Sequence, residues 1–162
     1  MGDDGRQQEV LRFVERFSLV IRASGVPPMP ARVLAYVLAD DADRYTAKDL
    51  QDALGVSAAG ISGAVRWLVQ ARLLSRDREP GTRGDLFVLD DSDLWSPIFT
   101  AELEALGAWE QVLADGVEAV GADSPGGRRL RESQEFFAFM RAGLPRLLEG
   151  WQEHRAAHRH EW

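Results

Sequence analysis

The most constraining feature of this sequence is a pair of short apolar helices joined by a glycine, within residues 46–70. Thr46 precedes the first helix and Asp49 follows three residues later, which is the spacing of a capping box. Gly55 ends that helix, because glycine adopts a positive φ at little cost. Ser57 is a typical cap for the next helix. Two short helices joined by so tight a turn predict a helix-turn-helix.

The second helix has one apolar face and one face of small and polar residues. Ile61, Val65 and Leu68 recur at helical spacing and predict the buried side. The opposite face and the helix start form the candidate DNA-binding surface: Ser57, Ala58, Ala59, Ser62, Gly63, Arg66 and Gln70. Arg66 can reach a guanine or a phosphate, and the first amides can bind a phosphate. Gly63 leaves its interpretation open: close approach to DNA, close packing of the short helix, or tolerance of a glycine in a helix.

Two short apolar strands follow the helices, at residues 73–76 and 86–89, and predict a β-hairpin. The loop between them contains Pro80 and two glycines, and Arg83 is expected at its tip. An arginine there can enter the minor groove or bind a phosphate, with Arg76 and Arg78 on the adjoining strand. The alternative is that these arginines are only solvated, as in many exposed hairpins.

The distribution of charge matters more than its total for DNA binding. The net charge is −7, yet residues 45–90 contain six basic and six acidic residues and are neutral. Residues 66–83 hold five arginines against two acidic residues. Because basic charge is concentrated on one short segment of an acidic chain, we expect modest affinity with a steep salt dependence.

The predicted fold is mainly α with a small two-stranded β wing: a winged helix-turn-helix flanked by long dimerisation helices. Residues 1–44 are expected to form N-terminal helices that support the head and dimerise. Residues 45–90 form the DNA-binding domain, and residues 91–162 form C-terminal linker and dimerisation helices. The terminal helices carry more apolar surface than the head can cover, which favours a homodimer. The alternative is that they fold back on each other within a monomer.

Residues 46–88 resemble the winged-helix domain of the MarR superfamily, and within it the GbsR-type branch. The motifs are Leu54-Gly-Val-Ser57, Ile61-Ser62, Leu68, Leu73-Leu74-Ser-Arg76, Pro80-Gly-Thr-Arg83 and, after the wing, Trp95. The resemblance implies a homodimeric transcriptional regulator of a pseudo-palindromic operator. It makes residues 57–70 the recognition helix and Arg83 the wing arginine.

Two positions depart from that family pattern. Ala71-Arg72 stands before the leucine pair, where a glycine is usual. Gly84-Asp85 follows the wing arginine, where a second arginine is common. The second departure weakens the expected contact of the wing with the minor groove.

Regulators of this family usually bind a small effector between the dimerisation helices and the head. The candidate wall residues are aromatic: Phe17, Trp95, Phe99 and Trp109. They suit an apolar or a quaternary ammonium ligand. The alternative is that aromatic residues at helical spacing are plain core.

Several classes of function are disfavoured by the sequence. With no cysteine there is no thiolate site, and no glycine-rich phosphate loop follows a strand, so neither a cofactor nor an enzyme is expected. His154 and His158 share a helix face, but in this charged terminal run a solvated helix end is favoured over a metal site. No apolar run reaches the roughly 20 residues of a membrane span. We expect a cytoplasmic, bacterial protein that lies on the nucleoid when bound to DNA. The alternative function is a winged-helix protein-interaction module.

Overall fold

The computed structural model of the chain describes residues 3–78, 84–89, 93 and 95–158. The elements in chain order are α1 (Asp3–Ala23), α2 (Pro28–Val37), β1 (Arg44–Thr46), α3 (Ala47–Leu54), α4 (Ala58–Gln70), β2 (Ser75–Asp77), β3 (Leu86–Val88), α5 (Ser96–Val120) and α6 (Pro125–His158). The prediction of a mainly helical chain with a small β wing is confirmed. The chain divides into two compact units, residues 1–94 and 95–162.

The first unit is built around α2, which packs against both α1 and α4. Its Val33 and Val37 side chains are buried with Leu50, Ile61 and Leu68 of the next two helices. Burial of such side chains stabilises a fold by roughly 1.5–3 kcal/mol each. The two helices of the head are therefore held in place by a third helix behind them.

The sheet of the first unit has three antiparallel strands in the order β1-β3-β2, where two strands were predicted. Tyr45 of β1 and Arg76 of β2 both pair with Phe87 of the central strand. The prediction missed β1 because three residues are too few to show alternation, and they lie between an acidic turn and a helix cap.

Two tyrosines share one carboxylate beside this sheet. The hydroxyl groups of Tyr36 and Tyr45 lie 3.3 and 3.1 Å from the two oxygens of Asp40, and the Tyr45 hydroxyl is also 2.5 Å from the carbonyl oxygen of Ala42. Burial, followed by the negative charge of Asp40, raises the pKa of Tyr36 to about 12. The same causes raise the pKa of Tyr45. The folded first unit therefore holds both phenolic protons more tightly than an unfolded chain does.

An alkaline titration measures the ionisation of this cluster directly, because the chain has only these two tyrosines. A free tyrosine has a pKa of 10.0. The cluster should therefore make its full contribution to the free energy of unfolding below that pH, and the contribution should decrease as the pH rises towards about 12. We expect phenolate absorbance to appear near the upper value, together with loss of helical ellipticity. Asp40→Asn should shift the absorbance to lower pH. Asp41→Asn changes the charge equally and should not.

The second unit is a hairpin of α5 and α6. Trp109 stacks on Phe137 at 5.1 Å between ring centroids, and the Arg141 guanidinium pairs with Glu110 and lowers the pKa of that carboxyl. Gly127 lies where any side chain would overlap the carbonyl oxygen of Gly121, so the turn requires glycine there. Pro145 lies inside α6, which continues on both sides of it.

A helix that crosses a bilayer must be both long and apolar. Over the described parts of the chain, no helix combines enough length with enough apolar character to cross a membrane.

Candidate nucleic-acid interface

The turn between α3 and α4 has the geometry that the sequence predicts. Thr46 and Asp49 form a capping box at the start of α3, with the Thr46 amide donating to the Asp49 carboxylate over 2.8 Å. Gly55 ends the helix with φ of 64°, a left-handed conformation that favours glycine. Ser57 then caps α4 by accepting from the Gly60 amide over 3.3 Å. These local bonds define both ends of the turn.

The two faces of α4 differ sharply in exposure. Ile61, Val65 and Leu68 are buried against the rest of the head. All seven residues of the predicted DNA-binding surface are exposed: Ser57, Ala58, Ala59, Ser62, Gly63, Arg66 and Gln70. The helix therefore presents a continuous outer face of small side chains that ends in an arginine and a glutamine.

Gly63 and Arg66 are the two residues of this face that suit close approach by a ligand, whereas Gly60 is not one of them. A Cβ on Gly63 would meet no atom within 4 Å, so packing within the described protein does not require a glycine there. A Cβ on Gly60 would meet Ser57 and Met29 at 3.5 and 3.9 Å, so that glycine does pack against neighbours. Within the described residues, the Arg66 guanidinium has no ion-pair or hydrogen-bond partner and is available to an external anion.

The wing brings together three charged residues. Arg76 lies on β2, as expected, whereas Arg78 directly follows that strand. Both are exposed, and their guanidinium groups lie beside the Asp85 carboxylate, at 3.5 and 3.3 Å. Arg83, the predicted tip arginine, falls outside the described residues, so its contact with DNA stays a prediction. The sequence singled out Asp85 only as a departure from the family pattern, and its double pairing depends on strand register.

Arg72, like Asp85, is noted in the sequence only as part of a departure from the family pattern. It follows α4 with φ of 59°, the left-handed conformation for which the family pattern has a glycine nearby. A side chain in that conformation costs about 1 kcal/mol. Arg72 is exposed, so it adds a positive charge at the carboxyl end of α4.

Of the four aromatic residues proposed as an effector wall, the three in the second unit do not form one cluster. Trp95 and Phe99 line a cavity of about 570 Å³ in the α5–α6 hairpin, with Arg146, Leu147, Leu148, Gly150 and Trp151. Trp109 stacks on Phe137 elsewhere in the hairpin, and Phe17 contacts Phe13 on α1 of the first unit. The Trp151 indole Nε1 is buried and has no hydrogen-bond partner in the described structure.

The histidines of α6 stack on each other, with 4.1 Å between the ring centroids of His154 and His158. In the described ranges, no three histidine, cysteine, aspartate or glutamate side chains are grouped closely enough to hold a metal ion. The rings form a stacked row with Trp151 at the end of α6.

Comparison with known proteins matches two parts of this chain to one kind of regulator. Residues 24–83 match the model of the MarR family, and residues 93–154 match that of the MmpR5-like MarR family transcriptional regulators. Both parts of the chain therefore resemble transcriptional regulators of MarR type. Both models describe families of regulators and not of enzymes.

Two known proteins are similar to this chain over most of its length. The HTH-type transcriptional regulator MmpR5 of Mycobacterium tuberculosis is 29% identical over 140 residues, which is 84% of this chain and 82% of the relative. A crystal structure of a transcriptional regulator superposes with a TM-score of 0.76 at 25% identity, covering 90% of this chain and 99% of the other. The chain is thus a winged helix-turn-helix transcriptional regulator of MarR type.

Proposed function

We propose that this regulator is a homodimer that binds a two-fold symmetric DNA operator, with α4 in the major groove and the wing on the backbone or minor groove. The observation that carries the proposal is the outer face of α4. It combines small residues, which allow a helix to approach base edges, with the guanidinium of Arg66, which has no partner among the residues that the structure describes. Its inner face is fixed by buried Ile61 and Leu68, so the outer face is presented rigidly.

Selection of bound sequences from random duplex DNA tests this proposal with the full-length protein. We expect enrichment of a two-fold symmetric site whose half-sites lie about one DNA turn apart. A folded protein that retains no duplex even at low salt would instead support the alternative, a winged-helix protein-interaction module. Residues 45–90 carry no net charge, which is the observation that supports this alternative.

The pairing of two copies is proposed from the apolar surface of the helices. Phe136, Phe139 and Leu147 on α6 are all more than half exposed, and so are Trp109 and Val112 on α5. Exposed apolar patches of this kind mark interfaces. A second copy of the chain is the partner that a two-fold operator requires. Assignment to the GbsR-type branch also stays a prediction, based on the motifs from residue 54 to residue 83 given above and on Trp95 after the wing.

We also propose that the cavity in the α5–α6 hairpin holds a small apolar effector. Its lining is aromatic and aliphatic, and the buried Trp151 N–H needs a hydrogen-bond acceptor. Arg146 at the same cavity disfavours the quaternary ammonium ligand that the aromatic residues alone suggested. The proposed effector is therefore an apolar molecule with a carboxylate or carbonyl oxygen.

Binding of a medium-chain alkyl carboxylate to the purified protein checks this effector class. We expect saturable quenching of tryptophan fluorescence, and about a tenfold to hundredfold weaker midpoint in Trp151→Phe, because that variant loses one hydrogen bond to a charged group. The matched alkyl trimethylammonium should not saturate below its micelle concentration. Tighter binding of the ammonium compound would show that the effector class is wrong.

A further inference from the structure

The stem of the wing carries an internal carboxylate between its two arginines. The Arg78 Nε donates to Asp85 Oδ1 over 3.3 Å, and Arg76 Nη1 lies 3.5 Å from Asp85 Oδ2. The Arg76 and Arg78 side chains are 46% and 83% exposed, whereas that of Asp85 is only 30% exposed. One partly covered acid therefore faces two accessible guanidinium groups.

Strand register explains this grouping. Asp77 pairs with Leu86, so continuing the antiparallel register places residue 78 opposite residue 85. Alternate residues of a strand share a face, which puts Arg76 on the same side at the diagonal position. The pairing follows from the hairpin itself and does not depend on an incidental rotamer of one long side chain.

A carboxylate in this position competes with DNA for the same two cations. Guanidinium groups bind carboxylate and phosphate oxygens with similar geometry, so a phosphate that contacts Arg76 or Arg78 must share or displace Asp85. With Asp77 included, the described stem holds two positive and two negative charges and is neutral. Its contribution to backbone binding is correspondingly reduced.

We propose that Asp85 is an internal counter-ion that restrains the wing's affinity for the DNA backbone. The inference rests on the proposed function, since it assigns a role within DNA binding. Sequence-independent contacts of arginine with phosphate dominate non-specific binding, and a regulator must find its operator among a vast excess of other sites. By occupying Arg76 and Arg78, Asp85 lowers non-specific affinity and leaves discrimination to α4.

The experiment measures binding of a short duplex of mixed sequence to the full-length protein across a series of salt concentrations. Asp85→Asn keeps the side-chain shape and removes the charge. We expect roughly threefold to tenfold tighter binding at low salt, and a salt slope steeper by about one unit for each arginine released per wing. The gain should disappear when Arg76→Gln and Arg78→Gln are added.

Asp77→Asn is the matched control, because it changes the net charge equally and lies in the same hairpin. Asp77 Oδ1 accepts from the Arg78 amide over 2.8 Å, and an asparagine oxygen can accept the same bond. We expect this variant to bind less than twofold tighter than the parent. Circular dichroism of both variants verifies that the fold is unchanged.

The outcomes separate this inference from the function on which it rests. If the parent binds duplex but Asp85→Asn behaves like Asp77→Asn, the counter-ion role is wrong and DNA binding stands. Weaker binding by Asp85→Asn also overturns it, since Asp85 would then orient the arginines for DNA. If neither the parent nor Asp85→Asn binds any duplex at low salt, both the inference and the proposed function fail.

Discussion

Arg66→Ala is expected to weaken binding to the selected operator by about thirtyfold or more, while leaving the folded structure intact. A good base contact by arginine contributes roughly 1–3 kcal/mol of discrimination, and a dimer loses two such contacts at once. Stability should not change, because the side chain is exposed and has no partner in the described structure. The measurement is fluorescence anisotropy with the operator and with a scrambled duplex.

The pattern of loss identifies what Arg66 contacts. If it reads a base, operator binding falls far more than binding to scrambled DNA, and the preference at one position of each half-site relaxes. If it contacts only phosphate, both affinities fall equally and the salt slope decreases by about one unit for each lost contact. Arg12→Ala removes the same charge from an exposed position on α1 and serves as the control. Unchanged operator affinity in Arg66→Ala would contradict the proposed surface of α4.

The sequence predicted the head accurately where local chemistry determines the backbone. The capping box at Thr46, the left-handed Gly55 and the Ser57 cap each depend on residues within one turn. The spacing of Ile61, Val65 and Leu68 then identified the buried face of α4. These features need no information from distant parts of the chain, so a single sequence is sufficient for them.

Other features depend on contacts between residues far apart in sequence. Strand β1 exists because residues 44–46 pair with residues 86–88, and three residues alone give no readable pattern. The pairing of Asp85 with Arg76 and Arg78 needs the register of the hairpin. Helical spacing does not reveal which residues face one another across two helices. Trp95, directly before α5, lines a cavity with Arg146 and Trp151 of α6, whereas Trp109 of α5 stacks on Phe137.

Phe139→Arg is expected to weaken self-association by about a hundredfold or more, so that the protein becomes monomeric at micromolar concentration. Phe139 is 75% exposed on α6, and burial of such a ring in an interface contributes roughly 1.5–3 kcal/mol. A two-fold interface loses this contribution twice and gains two charges that must be desolvated. Analytical ultracentrifugation of the parent and the variant gives the two dissociation constants.

The energetics of the α5–α6 hairpin make this the decisive test of the dimer. Of its described residues, no hydrophobic side chain is buried to the extent seen in the first unit, although large apolar groups such as Phe136 and Leu147 are present. Two packed helices have no enclosed core, so an uncovered hairpin of this composition is poorly stabilised. Gln152→Arg introduces the same charge at an exposed polar position of α6 and should remain dimeric. A parent chain that sediments as a monomer, with a stable hairpin, would require α5 and α6 to be covered within one chain.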